Sequence, residues 1–216
     1  MKLYCYWRSQ AAFRVRMALN LKGIEVENVI LDLMKGDQFT DEYRKVNPQM
    51  VVPALVTDDG LTLYQSLAII EYLDETHPNP PLLPADARGR ARVRSLAQIV
   101  ACEAHPLIVP RIRNYLEHEL KQDEPTRMKW IQHWLTVALA ALEGRLTREP
   151  ETGRYAHGDK LTLADLCITQ QVVSAKIFNC DIKPYPAAVR IFDECMKLDA
   201  IARAHPLKQP DAPKHH

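Results

Sequence analysis

Over the first eighty positions, apolar residues come in short runs that alternate with helical spacings. Leu3 to Trp7 is a compact apolar run of the kind that forms a buried strand. From 11 to 22, Val15, Ala18, Leu19 and Lys22 recur at helical spacing, and Gly23 supplies the stop. Val26 to Leu31 reads as a second strand. The polar segment from Asp32 to Lys45 predicts a loop with a short helix over Phe39 to Lys45, broken by Asn47-Pro48-Gln49. Val51 to Thr57 reads as a strand with a proline near its start, and Asp58-Asp59-Gly60 predicts a hairpin turn into Leu61–Tyr64. Ser66 then opens a helix whose apolar face is Leu67, Ile70 and Leu73, with Ile69 beside it. The order β-α-β-α-β-β-α predicts an α/β domain over residues 1–80, and the proline-rich stretch 77–84 reads as its linker.

From Asp86 onward strand signals nearly vanish. Helical patterns cover roughly 87–120, 125–148, 163–179 and 186–198, and the second places Trp130, Trp134, Ala138, Ala141 and Leu142 on one face. Thr162 followed by Asp165 predicts a helix start of capping-box type. The expected organisation is therefore an α/β domain, residues 1–80, followed by an all-helical one, residues 86–216.

Charge narrows the function classes. Lys and Arg number 28 against 27 Asp and Glu, for a net charge of +1, without the basic excess of a nucleic-acid or acidic-membrane binder. Arg88, Arg90, Arg92 and Arg94 do not amount to a basic stripe: alternate helical residues lie about 200° apart, so they divide into two i, i+4 pairs and predict a solvated or interface face. No run approaches the ~20 apolar residues of a spanning helix, and Arg8 interrupts the N-terminal run, so no signal peptide is expected. The expectation is a cytoplasmic protein with neither nucleic acid nor membrane as partner. Five cysteines without a Cys-x-x-Cys pair argue against a disulfide framework and a zinc site, and no metal is expected. Cys167 and Cys195 read as buried structural thiols. His215 and His216 are open to reading as native or as an added remnant.

Three features offer chemistry. Arg8-Ser9-Gln10 sits where the first strand gives way to a helix, the end at which open α/β sheets bind ligands. Ser9 there either caps the helix or serves a ligand. Val52-Pro53 precedes a strand, where a cis bond would present the backbone of Val52 to a peptide-like ligand, trans being the default isomer. Gln65-Ser66 opens the helix after the hairpin, where backbone amides and two side chains suit a carboxylate, or where Ser66 is a plain N-cap.

Together these segments resemble a cytosolic glutathione transferase, and closely its zeta class, which includes maleylacetoacetate and maleylpyruvate isomerases. The resembling residues are Tyr6-Trp7-Arg8-Ser9, Phe13 to Gly23, Asn47 to Leu55, Gln65 to Leu73, Pro81-Leu82-Leu83-Pro84, Thr162-Leu163-Ala164-Asp165 and Pro184-Tyr185-Pro186. The resemblance implies a thioredoxin-like domain that carries glutathione as cofactor, a helical domain that carries the second substrate, and a homodimer. By it, Ser9 donates to the glutathione sulfur, Val52 before a cis Pro53 pairs with the cysteinyl amide, and Gln65 and Ser66 hold the γ-glutamyl carboxylate. Gln38 and His105 match positions that reach the glycyl end. The implied reaction, in aromatic-compound catabolism, is isomerisation of a small unsaturated dicarboxylic or keto-acid through reversible thiolate addition, with Arg8 catalytic and substrate-binding.

Two positions depart from the class pattern. Its Ser-Ser-Cys is here Ser9-Gln10-Ala11, so the cysteine is absent, as it is in the maleylpyruvate branch. Where family isomerases carry an arginine before the residue matching Phe178, this chain has Ile177. An aliphatic side chain binds no carboxylate, so Lys176, Arg111 or Arg113 must substitute, with at most one of the two arginines facing the cleft. The alternatives are a zeta-like transferase or dehalogenase acting on small α-halo acids and a non-catalytic glutathione-binding protein.

Overall fold

The structure, a computed structural model, describes residues 1–213; His215 and His216 lie outside the described residues. It divides into two compact units, Met1–Leu82 together with the chain from Lys197, and Leu83–Met196. The division after Leu82 falls inside the expected linker. The final segment groups with the first unit and not with the helical one, which corrects the sequence-based division into 1–80 and 86–216. It is tied to the first unit by the Trp7 N–H, which donates to Asp211, and by Arg16, which donates to the Ala204 carbonyl, pairings between positions too far apart for local periodicity to signal.

In the first unit, β1 (Lys2–Cys5) is followed by α1 (Gln10–Leu21), β2 (Glu27–Ile30), α2 (Asp41–Val46), β3 (Ala54–Val56), β4 (Thr62–Tyr64) and α3 (Ser66–Thr76). The expected β-α-β-α-β-β-α order is the observed one, with shorter strands. The sheet order is β2-β1-β3-β4, with β1 parallel to β2 and antiparallel to β3. Gly60, at φ +87°, closes the β3–β4 hairpin in a conformation that suits glycine. Residues Gln10 to Leu19 are all buried, so α1 is a core element on every side rather than an amphipathic one. The buried face of α3 is Ile69, Ile70 and Leu73; Leu67, expected there, is only half-buried. A short helix α9 (Asp199–Ala202) docks back on α1, where Asn20 donates to the Ala200 carbonyl at 2.9 Å.

The second unit is helical: α4 (Ala87–Gln98), α5 (Pro110–His118), α6 (Glu124–Arg148), α7 (Leu163–Ile177) and α8 (Pro186–Met196). The single helix expected over 87–120 is broken. After α4 the chain runs through a π-helical stretch, Ile99–Ala104, and a 3₁₀ turn, His105–Leu107, before Pro110 restarts it. Pro106 and Pro110 lack the amide that would continue the ladder. On α6 the buried stripe is Ile131, Leu135, Ala138, Leu139, Leu142 and Leu146; Trp130 and Trp134 flank it half-buried, and Ala141 is exposed. Residues Leu163 to Ala175 of α7 are buried throughout, making it the centre of the unit.

Arg92 departs from the solvated or interface face expected of the arginine cluster. It is 9% exposed, donating to Glu149 Oε2 at 2.7 Å, the Ala156 carbonyl at 2.6 Å and Thr152 Oγ1 at 2.9 Å. Arg145 holds the other Glu149 oxygen at 2.6 Å, and these two arginines, Arg145 first, keep the Glu149 carboxyl below its ordinary range. The start of α7 carries the expected box: Asp165 accepts from the Thr162 N–H, the Thr162 hydroxyl and the Ala156 N–H at 2.7–2.8 Å. Burial pushes the Asp165 carboxyl up to about 6.

Candidate active site

Sheet register determines which of the sequence features meet. Tyr4 pairs with Ala54, and Ala54 pairs with Tyr64. The residues that follow Tyr4, precede Ala54 and follow Tyr64 therefore leave the sheet at one end. Those are Tyr6–Ser9, Val52–Pro53 and Gln65–Ser66. Three segments scattered along the first unit are thus neighbours because of two antiparallel pairings.

Beyond β1 the chain turns through Tyr6–Ser9, with the Ser9 N–H donating to the Tyr6 carbonyl at 3.0 Å. Ser9 has extended backbone and caps α1, its Oγ accepting the Ala12 N–H at 3.2 Å. A hydroxyl that accepts through a lone pair keeps its own proton to donate. The cap and the ligand role are therefore compatible. Arg8 is half-buried in the same turn, and among the described residues no hydrogen bond or ion pair holds its guanidinium.

The Val52-Pro53 bond is cis. Val52 is buried, yet it precedes the ladder that starts at Ala54, and among the described residues neither its N–H nor its carbonyl enters a backbone hydrogen bond. Buried main-chain groups are normally paired, so this peptide offers a donor and an acceptor to something outside the fold. The approach to it is fixed by Tyr43 Oη and Asn47 Nδ2, which both donate to the Val51 carbonyl at 2.7 Å.

Gln65 joins β4 to α3 at φ +66°, a region that side chains with a Cβ avoid. Its Nε2 donates to Gln49 Oε1 at 3.0 Å. The helix it begins has no side-chain cap and no acidic residue in its first turn, so the leading amides and the positive end of the helix dipole are open to an anion. Ser66 is buried and accepts from Arg14 Nε at 3.1 Å; it is not the plain N-cap that the sequence allows.

Gln38 lies in a 3₁₀ turn, Asp37–Phe39, and is buried; its Nε2 is 3.5 Å from the Leu33 carbonyl, and its Oε1 has no partner. The remaining candidates belong to the second unit. His105 begins the 3₁₀ turn after the π-helical stretch and is half-buried. Arg111 is exposed on α5, whereas Arg113 is half-buried with its guanidinium 5.9 Å from the Phe178 ring centre. Lys176 is exposed and its Nζ lies 4.0 Å from the Phe192 ring centre.

The protein's own buried thiols are poor nucleophiles. Burial raises Cys5 to about 11 and also raises Cys180 and Cys195, and a thiolate is the reactive form. Ala11, at the position of the family cysteine, is buried in α1. Sequence reasoning misses Arg14, Arg16 and Gln49 as site supports. A signal exists for the first two: charged residues inside the apolar run Phe13-Arg14-Val15-Arg16-Met17 of a buried helix need partners.

Residues 3–81 match the glutathione S-transferase N-terminal domain family. The chain is 45% identical over 212 residues to the maleylpyruvate isomerase of Ralstonia sp, covering 98% of this chain and 100% of that one. A solved holo structure of a maleylpyruvate isomerase, described as a bacterial glutathione S-transferase in zeta class, superposes with a TM-score of 0.95 at 45% identity, covering 99% of this chain and 100% of that one. A maleylacetoacetate isomerase of Methylobacterium extorquens AM1, solved with malonate and glutathione bound, gives a TM-score of 0.97 at 50% identity over 99% and 100% of the two chains. Among the described residues no helix is long and apolar enough to cross a membrane.

Proposed function

Since the chain belongs to the zeta class of glutathione transferases, we propose that it is a glutathione-dependent cis–trans isomerase of a small unsaturated dicarboxylic or keto-acid, of maleylacetoacetate or maleylpyruvate type. The observation that carries the reading is the sheet end where Ser9, the unpaired Val52 peptide and the uncapped start of α3 come together. That donor set fits a tripeptide thiol with a carboxylate at either end: a hydroxyl donor, a free main-chain donor and acceptor, and an open helix N-terminus.

Bound there, glutathione supplies a thiolate nucleophile for reversible addition to a conjugated double bond. A free thiol titrates near ~8.5, so the Ser9 hydroxyl, donating to the sulfur, favours the reactive form at neutral pH. Val52 pairs with the cysteinyl backbone. Gln65, Ser66 and the leading amides of α3 hold the γ-glutamyl carboxylate, with Arg14 steadying Ser66. Gln38 and His105 serve the glycyl end.

Arg8 has no internal carboxylate to satisfy, and a guanidinium binds a substrate carboxylate through two parallel hydrogen bonds. For the second carboxylate, Arg113 suits better than Arg111 or Lys176. It is half-buried, whereas Arg111 and Lys176 are exposed. The malonate in the Methylobacterium relative supports a small dicarboxylate as ligand class. We infer a cytoplasmic homodimer, two-fold dimers being the commonest assembly. Ile177 favours one second reading, glutathione-dependent turnover of small α-halo acids, which carry a single carboxylate.

The test follows maleylpyruvate and maleylacetoacetate absorbance with and without glutathione. Isomerisation that requires glutathione is expected. Equal rates with and without it overturn the reading, and α-halo acid turnover without diacid isomerisation replaces it with the second. Light scattering at micromolar concentration is expected to give twice the chain mass; the mass of one chain overturns the dimer.

A further inference from the structure

Arg16 lies two turns into α1 and its side chain points back along the helix toward the Tyr6–Ser9 turn. It is 6% exposed. Its Nη1 donates to the Tyr6 carbonyl at 3.3 Å, its Nη2 to the Trp7 carbonyl at 3.1 Å and its Nε to the Ala204 carbonyl at 3.3 Å. The other side of the same peptide is held by Asp211, whose carboxylate accepts the Trp7 N–H at 2.8 Å. Trp7 is therefore gripped at both its N–H and its carbonyl by residues outside the turn. The next two residues are Arg8 and Ser9.

We propose that Arg16 and Asp211 form a positioning clamp that sets the Tyr6–Ser9 turn, and through it the directions of the Arg8 guanidinium and the Ser9 hydroxyl. The clamp rests on the proposed function for its chemical meaning, since it acts on the two residues assigned to sulfur and substrate. Neither clamp residue needs to touch either ligand.

Three observations argue for positioning rather than plain core filling. A buried guanidinium is costly unless its donors are matched, and here they meet three main-chain carbonyls, two of them in the turn, with the Cys5 thiol and the Asp211 carboxylate also acting on the charge. An apolar residue would fill the space without that cost. The fork of Arg16 spans two successive carbonyls, which fixes the orientation of the Tyr6–Trp7 and Trp7–Arg8 peptides in a way that a single point donor does not. The third partner, Ala204, and Asp211 both come from the segment after α9; α9 itself is held by Asn20, and the segment makes an edge contact of His205 on Phe13, ring centres 6.1 Å apart. The C-terminal segment is thereby part of the apparatus that aims Ser9, although none of the residues assigned to the ligand lies in it.

The experiment compares wild type, Arg16→Met, Arg16→Lys and Asp211→Ala by three measurements. These are the pKa of the bound glutathione thiol from thiolate absorbance, kcat and KM for the isomerisation, and thermal unfolding. Arg16→Met is expected to raise the bound-thiol pKa and to lower kcat by ~10–100-fold, the cost of a small misplacement of reacting groups, with glutathione affinity changed far less. Arg16→Lys recovers part of the loss, and Asp211→Ala shifts both readouts in the same direction by less. Folded variants with the wild-type thiol pKa and kcat overturn the clamp. If Arg16→Met does not fold, Asp211→Ala decides alone, because it leaves the core intact: a wild-type thiol pKa in that variant overturns the proposal, and a raised one supports it. A wild type that binds glutathione with a lowered thiol pKa but isomerises nothing removes the isomerase reading and leaves the clamp to be judged on thiol pKa. A wild type that binds no glutathione overturns both.

Discussion

The helices α7 and α3 begin in opposite ways. At the start of α7 the chain supplies its own anion: Asp165, fully buried, takes hydrogen bonds from Thr162 and from Ala156. At the start of α8 the same need is met from a distance, with Glu143 of α6 accepting from Ala187 and Ala188 at 3.0 Å. At the start of α3 there is no cap and no acid, and the residue leading into it is held at a backbone angle that costs energy. Two of these helix ends are closed in the interest of stability. The third is left open, and an open, positively polarised helix end suits a carboxylate, the role proposed for it here. Substitutions at α7 should therefore move stability, and substitutions at α3 should move ligand affinity.

The largest effect expected is on α7. Asp165→Ala strands three buried donors, each worth ~1–3 kcal/mol when left unmade, and should lower stability by about 3 kcal/mol, or roughly 6–12 °C in Tm. Differential scanning calorimetry checks it; a fall of under ~1 kcal/mol would mean that water replaces the carboxylate and that the end is not closed. On the α3 side, Ser66→Ala removes a donor to an ionised ligand and should weaken glutathione binding by about ten- to a hundredfold, the equivalent of ~1.5–3 kcal/mol. Isothermal titration reads this, and if Tm falls while affinity is kept, the contrast between the two ends is broken. Ser9→Ala should raise the bound-thiol pKa and lower turnover through loss of a charge-assisted donor of similar size. The lost cap of α1 costs about 1 kcal/mol in addition.

Much of this contrast is legible in the amino-acid sequence. Thr162–Asp165 and Ser9 are readable because a cap is a local relation, settled within three or four residues. The cis bond at Val52 and the open start of α3 are each one of two options in the sequence, since each is decided by what the rest of the sheet leaves unpaired. Arg92 is misread because its partners lie 57–65 positions away, and nothing in an Arg-x-Arg-x-Arg run says which arginine will turn inward. The break in the helix expected over 87–120 is signalled by Pro106 and Pro110, but the apolar period on both sides masks it. The face of α6 is turned by one position at its start, Ile131 and Leu135 being buried in place of Trp130 and Trp134, because large aromatic rings at the rim mimic a buried stripe. The candidate site is legible in part: the residues at the sheet end are found, their supporting arginines are not.

Two smaller effects sharpen the comparison. Burial lifts the Asp165 carboxyl from its ordinary 3.8 to about 6. The folded state therefore holds that proton more tightly than the unfolded chain, and the associated stabilisation is complete below the unfolded value and is lost as pH rises toward the folded one. Chemical denaturation of wild type and Asp165→Asn from pH 4 to 7 should show the wild-type advantage shrinking with rising pH; an advantage that does not change with pH refutes the shift. The smallest effect belongs to Gln65→Gly. Glycine tolerates φ +66° but adds freedom to the unfolded chain, so stability should stay level or rise by no more than about 1 kcal/mol, while glutathione affinity drops. A loss of stability would show that the strained angle is not strained.

The grip on the Tyr6–Ser9 turn has a consequence for how the protein comes into being. Trp7 is hydrogen-bonded to a residue 204 positions later. A ribosome that has released the β1–α1 segment must make the whole helical unit before Ala204 and Asp211 emerge to hold it. Domains generally fold as units in the order of synthesis, and here the first unit has its sheet early and these supports only after the helical unit has been made. A chain ending before Ala204 would carry every residue assigned to the ligand and still hold the Ser9 turn by Arg16 alone, without the contacts of Ala204 and Asp211.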